Sequence, residues 1–214
     1  MKKRFLLVCI GIVCAALLCS PATGHAKRGL PDYVIEKSYG DNATSGNVLF
    51  IVATYYGSTY RIAEVIAEVL SAEGFKVDVK LADTFVGDIA EYDTVLLGSN
   101  IYIEDWNDDA RAFLDEYQTE LAAKKVAYFC VCAVLGSDLG GKEEEYAANY
   151  IKKIAEDYPD IVPVADAAFA GAVDYKILKF KDWLLMRLMF MKSGNWTDYA
   201  GVVSWAYDLS DKLQ

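Results

Sequence analysis

The residues best placed to do chemistry are Thr54, Tyr55, Tyr56, Gly57, Ser58 and Thr59, a run of hydroxyls and one glycine between an apolar stretch, residues 48–53, and a segment with helical periodicity. A helix start offers unpaired backbone N–H groups and the positive end of its dipole, which together attract a phosphate. Gly57 lets the backbone turn close to that anion, while Thr54, Ser58 and Thr59 can donate hydroxyl hydrogen bonds. The loop has no lysine of the kind that answers a triphosphate and its metal. The pattern therefore fits one phosphate monoester held by neutral donors. The alternative is that Ser58 or Thr59 simply caps the helix, and this segment alone leaves both readings open.

Other reactive side chains are few. Lys2, Lys3 and Arg4 precede an apolar run over residues 5–19, and Gly24-His25-Ala26 ends it in the manner of a cleavage site. The expectation is a signal peptide over residues 1–26, either removed after Ala26 or kept as an N-terminal anchor. Cys9, Cys14 and Cys19 follow Val or Leu rather than a small residue, which argues against lipid attachment. Export to a periplasmic or other extracytoplasmic location is the expectation, with any cofactor loaded outside the cytoplasm, since Lys2-Lys3-Arg4 only weakly imitates a twin-arginine signal.

Without residues 1–26 the chain has 188 residues, enough for one domain with a full core, and carries 18 basic against 31 acidic side chains, a net charge of −13. That balance excludes a general nucleic-acid role, which needs Lys and Arg against phosphate. The one histidine, His25, leaves with the signal. What remains can run no Ser-His-Asp or Cys-His mechanism and build no His-ligated metal site. Cys130 and Cys132 fall on one face of an apolar strand and read as core thiols; a disulfide between them would close a small strained ring. No metal site and no catalytic side chain is identified.

The elements that must position these residues alternate. Strands are expected at residues 48–53, 77–81, 94–99, 126–134 and 161–169. A helix is expected with Ile62, Ile66, Val69 and Leu70 on one face, ending near Gly74, and others at 107–122, 143–157, 182–191 and 198–213, the last with Val202, Ala206, Leu209 and Leu213 on one stripe. Residues 27–46 lack periodicity and read as a tether. Strand and helix in alternation imply a five-stranded parallel sheet, doubly wound in the order 2-1-3-4-5, with its ligand at the carboxyl ends of the strands.

Thr54, Gly57 and Thr59 after a first apolar strand resemble the phosphate loop of flavodoxins, which hold FMN. The stretches LLGSNIYIEDWNDDARAFL and FAGAVDYKILKFKDWLLMRLMFMKSGNWTD resemble segments of the menaquinone-dependent protoporphyrinogen oxidase family, a branch of the flavodoxin-like superfamily. The similarity runs from Asn47 to the C-terminus, making residues 47–214 the FMN-binding domain, and the ending at residues 191–198 is its most specific part. The resemblance implies that residues 54–59 hold the FMN phosphate, that Ser99, Asn100, Ile101 and Tyr102 lie against the isoalloxazine ring, and that Ala133, Val134, Leu135 and Gly136 form its other wall. Tyr102 and Trp106 are candidates to stack on the ring, with ordinary packing the alternative for Trp106.

The activity this implies is an FMN-dependent oxidoreductase that moves electrons from a reduced organic substrate to a quinone or another acceptor. Two other readings stand beside it: a flavodoxin-like electron carrier steered by its acidic surface to redox protein partners, and a binding protein that keeps the fold without FMN. The chain differs from the family at Tyr102, where Arg is usual, and in the acidic stretch LGSDLGGKEEEY. Lys176, Lys179, Lys181, Arg187 and Lys192, interleaved with aromatic and Met residues, suggest peripheral contact with an anionic membrane surface. The alternative is a core helix with a solvated basic face.

Overall fold

The computed structural model describes residues 30–41, 43–137 and 140–214. The expected signal peptide lies outside the described residues. Five parallel strands form the centre: β2 (Gly46–Ala53), β3 (Phe75–Leu81), β4 (Thr94–Tyr102), β6 (Lys125–Cys132) and β7 (Ala165–Ala170). They lie in the order β3-β2-β4-β6-β7, which is the expected 2-1-3-4-5 order. The antiparallel strand β1 (Lys37–Tyr39) extends one edge beside β3, and the short β5 (Asp105–Trp106) folds back on the end of β4.

Among the described residues, four helices pack on the sheet, α1 (Ser58–Ala72), α2 (Asp108–Leu121), α3 (Glu143–Asp157) and α5 (Tyr199–Leu213), while α4 (Phe180–Leu188) belongs to a segment outside it. The unbroken apolar run of β2 follows from this two-sided cover, because successive side chains of a strand point to opposite faces. Val48, Phe50 and Val52 join a core with Ile62, Ile66 and Leu70 of α1 and with Val202, Ala206, Leu209 and Leu213 of α5. Leu49, Ile51 and Ala53 join a second core with Ala110, Phe113 and Leu114 of α2 and Ile154 of α3. The first strand is thus clamped on both faces, and its carboxyl end is held rigidly in place.

The structure departs from the expectations where pattern is weak. Residues 30–46 are not a free tether over their described length: Val34 is buried, Tyr60 donates to the Ile35 carbonyl at 2.5 Å, and residues 37–39 pair with β3. The last parallel strand starts at Ala165, after Pro163, whose missing N–H cannot join a ladder. Ile161 is buried from a turn instead, its N–H donating to the Tyr158 carbonyl at 3.1 Å. A two-stranded ribbon, β8 (Ala172–Val173) with β9 (Gly194–Asn195), brackets α4, so residues 172–195 leave the sheet and return.

Candidate functional site

Neighbouring parallel strands place their carboxyl ends along one edge of the sheet, so the turns after β2, β4 and β6 converge there. The turn after β2 is residues 54–57. Gly57, at φ +83°, takes the left-handed conformation that glycine permits, and its N–H donates to Thr54 Oγ1 at 3.0 Å. Thr54 thereby shapes the loop and keeps its own hydroxyl proton for another acceptor. Helix α1 then starts without a side-chain cap, whereas Asn107 caps α2 and Asp198 caps α5. The capping alternative for Ser58 and Thr59 is thus not used. The Thr59 hydroxyl is buried and has no hydrogen-bond partner among the described residues. An uncapped helix start, a glycine in the left-handed region and an orphaned buried hydroxyl together fit a phosphate monoester.

Ser99, Asn100, Ile101 and Tyr102 do not form a loop but continue β4, with Ile101 paired to Trp106 and Tyr102 to Asp105. The chain reverses through Ile103 and Glu104, both at positive φ, 49° and 61°. Asn100 ties three elements together: its Oδ1 accepts from the Tyr55 N–H at 3.1 Å and from Asn107 Nδ2 at 2.8 Å. Ser99 Oγ accepts from the Asn107 N–H at 3.0 Å, which makes Ser99 a connector between β4 and α2. The rings of Tyr55 and Tyr102 meet edge to face, with centroids 5.2 Å apart.

Ala133, Val134, Leu135 and Gly136 form a 3-10 turn after β6. The ring of Trp196 lies over it so closely that a Cβ on Gly136 would sit 2.5 Å from a ring carbon, and the Trp196 N–H donates to the Gly171 carbonyl at 3.1 Å. Trp106, a candidate to stack on a flavin, is a core residue instead. It is 1 % exposed, donates from Nε1 to the Tyr150 carbonyl at 2.9 Å, and meets Tyr128 edge to face at 5.7 Å. Cys130 and Cys132 are free and buried; hydrogen bonding with Cys132, together with burial, pushes the Cys130 thiol well above its ordinary range. A protonated buried thiol is a packing group, not a nucleophile.

Four residues at the site lie outside the expected site residues. Tyr33 lies against Gly57, where an added Cβ would be 2.5 Å from its hydroxyl, and the Arg61 guanidinium sits over the Tyr33 ring at 4.0 Å. Trp196 covers Gly136. Asp182, only 2 % exposed, accepts from the Tyr102 hydroxyl at 2.7 Å and from the Tyr56 hydroxyl. The one hint to Asp182 is its composition, a single acid amid the basic residues of 176–192.

The fold and this edge define a class: a doubly wound α/β protein with a phosphate-sized turn at its first strand. Family comparison gives the identity within that class, because the model of the Flavodoxin domain family matches residues 49–199, and the chain belongs to that family. FMN is its cofactor, and the residues at the start of α1 fit the phosphate. Among solved structures, the flavodoxin 1 of Bacillus cereus is 16 % identical, over 78 % of this chain and 96 % of its own, at a TM-score of 0.46. A flavodoxin of Streptococcus pneumonia TIGR4 is 15 % identical, over 78 % and 99 %, at 0.49. Rubredoxin oxygen:oxidoreductase of Desulfovibrio gigas is 14 % identical, over 80 % of this chain and 37 % of its own, at 0.50; this likeness speaks to the fold alone. No curated protein matches the chain.

Proposed function

We propose that the chain is an exported FMN-dependent oxidoreductase that passes electrons from a reduced organic substrate to a quinone at an anionic membrane surface. The observation that carries the acceptor is the outer side of α4. Phe180 and Phe190 are 75 % and 76 % exposed, Leu188 and Met189 are exposed beside them, and Lys176, Lys179, Lys181, Arg187 and Lys192 are exposed along the same segment. Phe180 stacks on Trp183 at 6.0 Å and Arg187 lies over the same indole, so one side of the helix is both aromatic and cationic. Such a surface suits a bilayer interface, where apolar rings enter the acyl boundary and cations meet headgroups. The same helix contacts the residues 56 and 102 through Asp182, which brings that surface next to the flavin site.

When bound, FMN supplies the hydride and electron chemistry. The chain's own part is to hold the phosphate with neutral donors at residues 54–59, to set the ring edge with β4 and the turn at residues 133–136, and to choose the access path. Resemblance to menaquinone-dependent protoporphyrinogen oxidases supports quinone coupling. The acidic remainder of the molecule opposes an anionic porphyrin as the donor, and favours a neutral or cationic one. That same acidity is the observation behind a second reading, a soluble electron carrier for basic redox proteins.

Quinone-coupled turnover on anionic vesicles separates the two. Changing Lys176, Lys179 and Lys181 together to Gln is expected to weaken vesicle binding and quinone turnover in parallel while FMN affinity stays the same. Vesicle binding should also fade with salt, as the screening length shrinks to about 8 Å near 0.15 M. Turnover that survives the triple change, or absence of vesicle binding at low salt, makes the segment a solvated core element and moves the soluble-carrier reading ahead.

A further inference from the structure

We propose that Asp182 is a positioning residue for the flavin site: a buried carboxylate on α4 that draws the phosphate turn and the end of β4 together through Tyr56 and Tyr102 and so closes residues 172–195 over bound FMN. The inference rests on the FMN site and is independent of the quinone reading.

A carboxylate at 2 % exposure is costly to bury unless its oxygens are hydrogen-bonded. Asp182 meets that requirement with donors from two different turns. Oδ1 accepts from Tyr102 at 2.7 Å, and Oδ2 accepts from Tyr56. Tyr56 belongs to the turn that leads into α1, and Tyr102 is the last residue of β4 before the reversal at positive φ. One side chain therefore fixes the separation of the two turns that flank the FMN position.

The surroundings reinforce the contact. The Lys179 N–H donates to the Tyr56 hydroxyl oxygen at 3.3 Å, so that phenol donates to α4 and accepts from its start. Asp182 lies in the first turn of α4, where the helix dipole favours an anion, and it is the acidic residue of that turn. At the other end of the excursion, Trp196 seats over Gly136 and bonds to Gly171. Residues 172–196 are thus fastened at Asp182 and at Trp196 to the turns after β2, β4, β6 and β7. If the carboxylate holds the turns at the spacing FMN needs, loosening it should free the cofactor faster without changing how it arrives.

The experiment uses the full chain and follows FMN release by the recovery of flavin fluorescence. Tyr102→Phe keeps the ring and removes only the hydroxyl; Asp182→Asn keeps the shape and removes the charge. Each is expected to speed FMN dissociation about tenfold, the scale of one hydrogen bond to a charged group. The association rate should stay within about twofold, and the visible bands of bound flavin should broaden toward those of free FMN. The double change should fall short of the sum of the two single changes, because Tyr102→Phe removes one of the two bonds through which Asp182 acts. Unchanged dissociation and an unchanged flavin spectrum in either folded variant would overturn the proposal. So would strictly additive effects that track the loss of thermal stability, since that is the signature of general structural support. If Asp182→Asn does not fold, Tyr102→Phe and Tyr56→Phe decide the matter by the same readings.

Discussion

A buried hydroxyl without a partner is a small liability that a protein keeps when something else answers it. Thr59 is fully buried at the first turn of α1, and its hydroxyl lacks a hydrogen-bond partner among the described residues. In the free protein, removing that hydroxyl costs nothing and relieves an unmet donor. With FMN bound, it costs a hydrogen bond to a dianion. Thr59→Val, which keeps the shape, should therefore leave the melting temperature of the apoprotein unchanged or raised. It should also weaken FMN by about 1.5 kcal/mol, while riboflavin, which lacks the phosphate, binds as before. Calorimetry with the two flavins checks both signs at once, and equal losses for FMN and riboflavin would remove Thr59 from the phosphate.

At the scale of elements, the hairpin that ends β4 is held by charge. Asp105 of β5 accepts from Arg111 of α2 at 2.6 Å and from Lys153 of α3 at 2.9 Å, and Arg111 also reaches Asp157 at the end of α3. Burial would push the Asp105 carboxyl up, but Lys153, Arg111 and the Trp106 N–H outweigh it and hold the group below its ordinary range. A depressed carboxyl stabilises the fold above its unfolded value, about 3.9, and loses that contribution as pH falls through the native one. Asp105→Asn should cost no more than about 1 kcal/mol at pH 7, since the cluster is partly solvent-screened. The gap to the parent should close as denaturation is repeated below pH 4, and a gap that widened there would contradict the assignment.

The same scale shows what the sequence could reveal. Strand β2 and helices α1 and α5 announce themselves because their burial repeats along the chain, every residue from Val48 to Ala53 in β2 and every three or four in the helices. Strands β5, β8 and β9 have two residues each, too few for any period, and β1 is a mostly exposed edge where alternation brings no burial. The site divides in the same way. The phosphate turn is legible because glycine and hydroxyls lie within six consecutive residues. The bond from Tyr56 to Asp182 spans 126 residues, and only the folded sheet brings the two together. Trp106 shows the limit of reading residue type: an indole near a flavin turn is as fit for the core as for stacking, and a carbonyl of α3 within reach of Nε1 decided it.

At the scale of the whole molecule, the question is where the working protein begins. Residues 30–39 precede the matched family region, yet they are built into the fold. Val34 enters the core beside α1, Tyr33 meets the Tyr60 ring at 6.5 Å and covers Gly57, and β1 closes the edge of β3. A chain trimmed after Ala26, as the proposed export signal requires, keeps all of this; one that starts at Asn47 loses it. Burial of one Val and most of a Tyr is worth about 2–3 kcal/mol, which for a domain of this size lowers the melting temperature by about 5–10 °C. A protein beginning at Lys27 should melt that much above one beginning at Asn47, and should bind FMN more tightly because Tyr33 still borders the phosphate turn. Intact mass of the protein recovered from the cell envelope should place the start at Lys27. Equal melting temperatures and equal FMN affinities for the two chains would return residues 27–46 to the role of a tether.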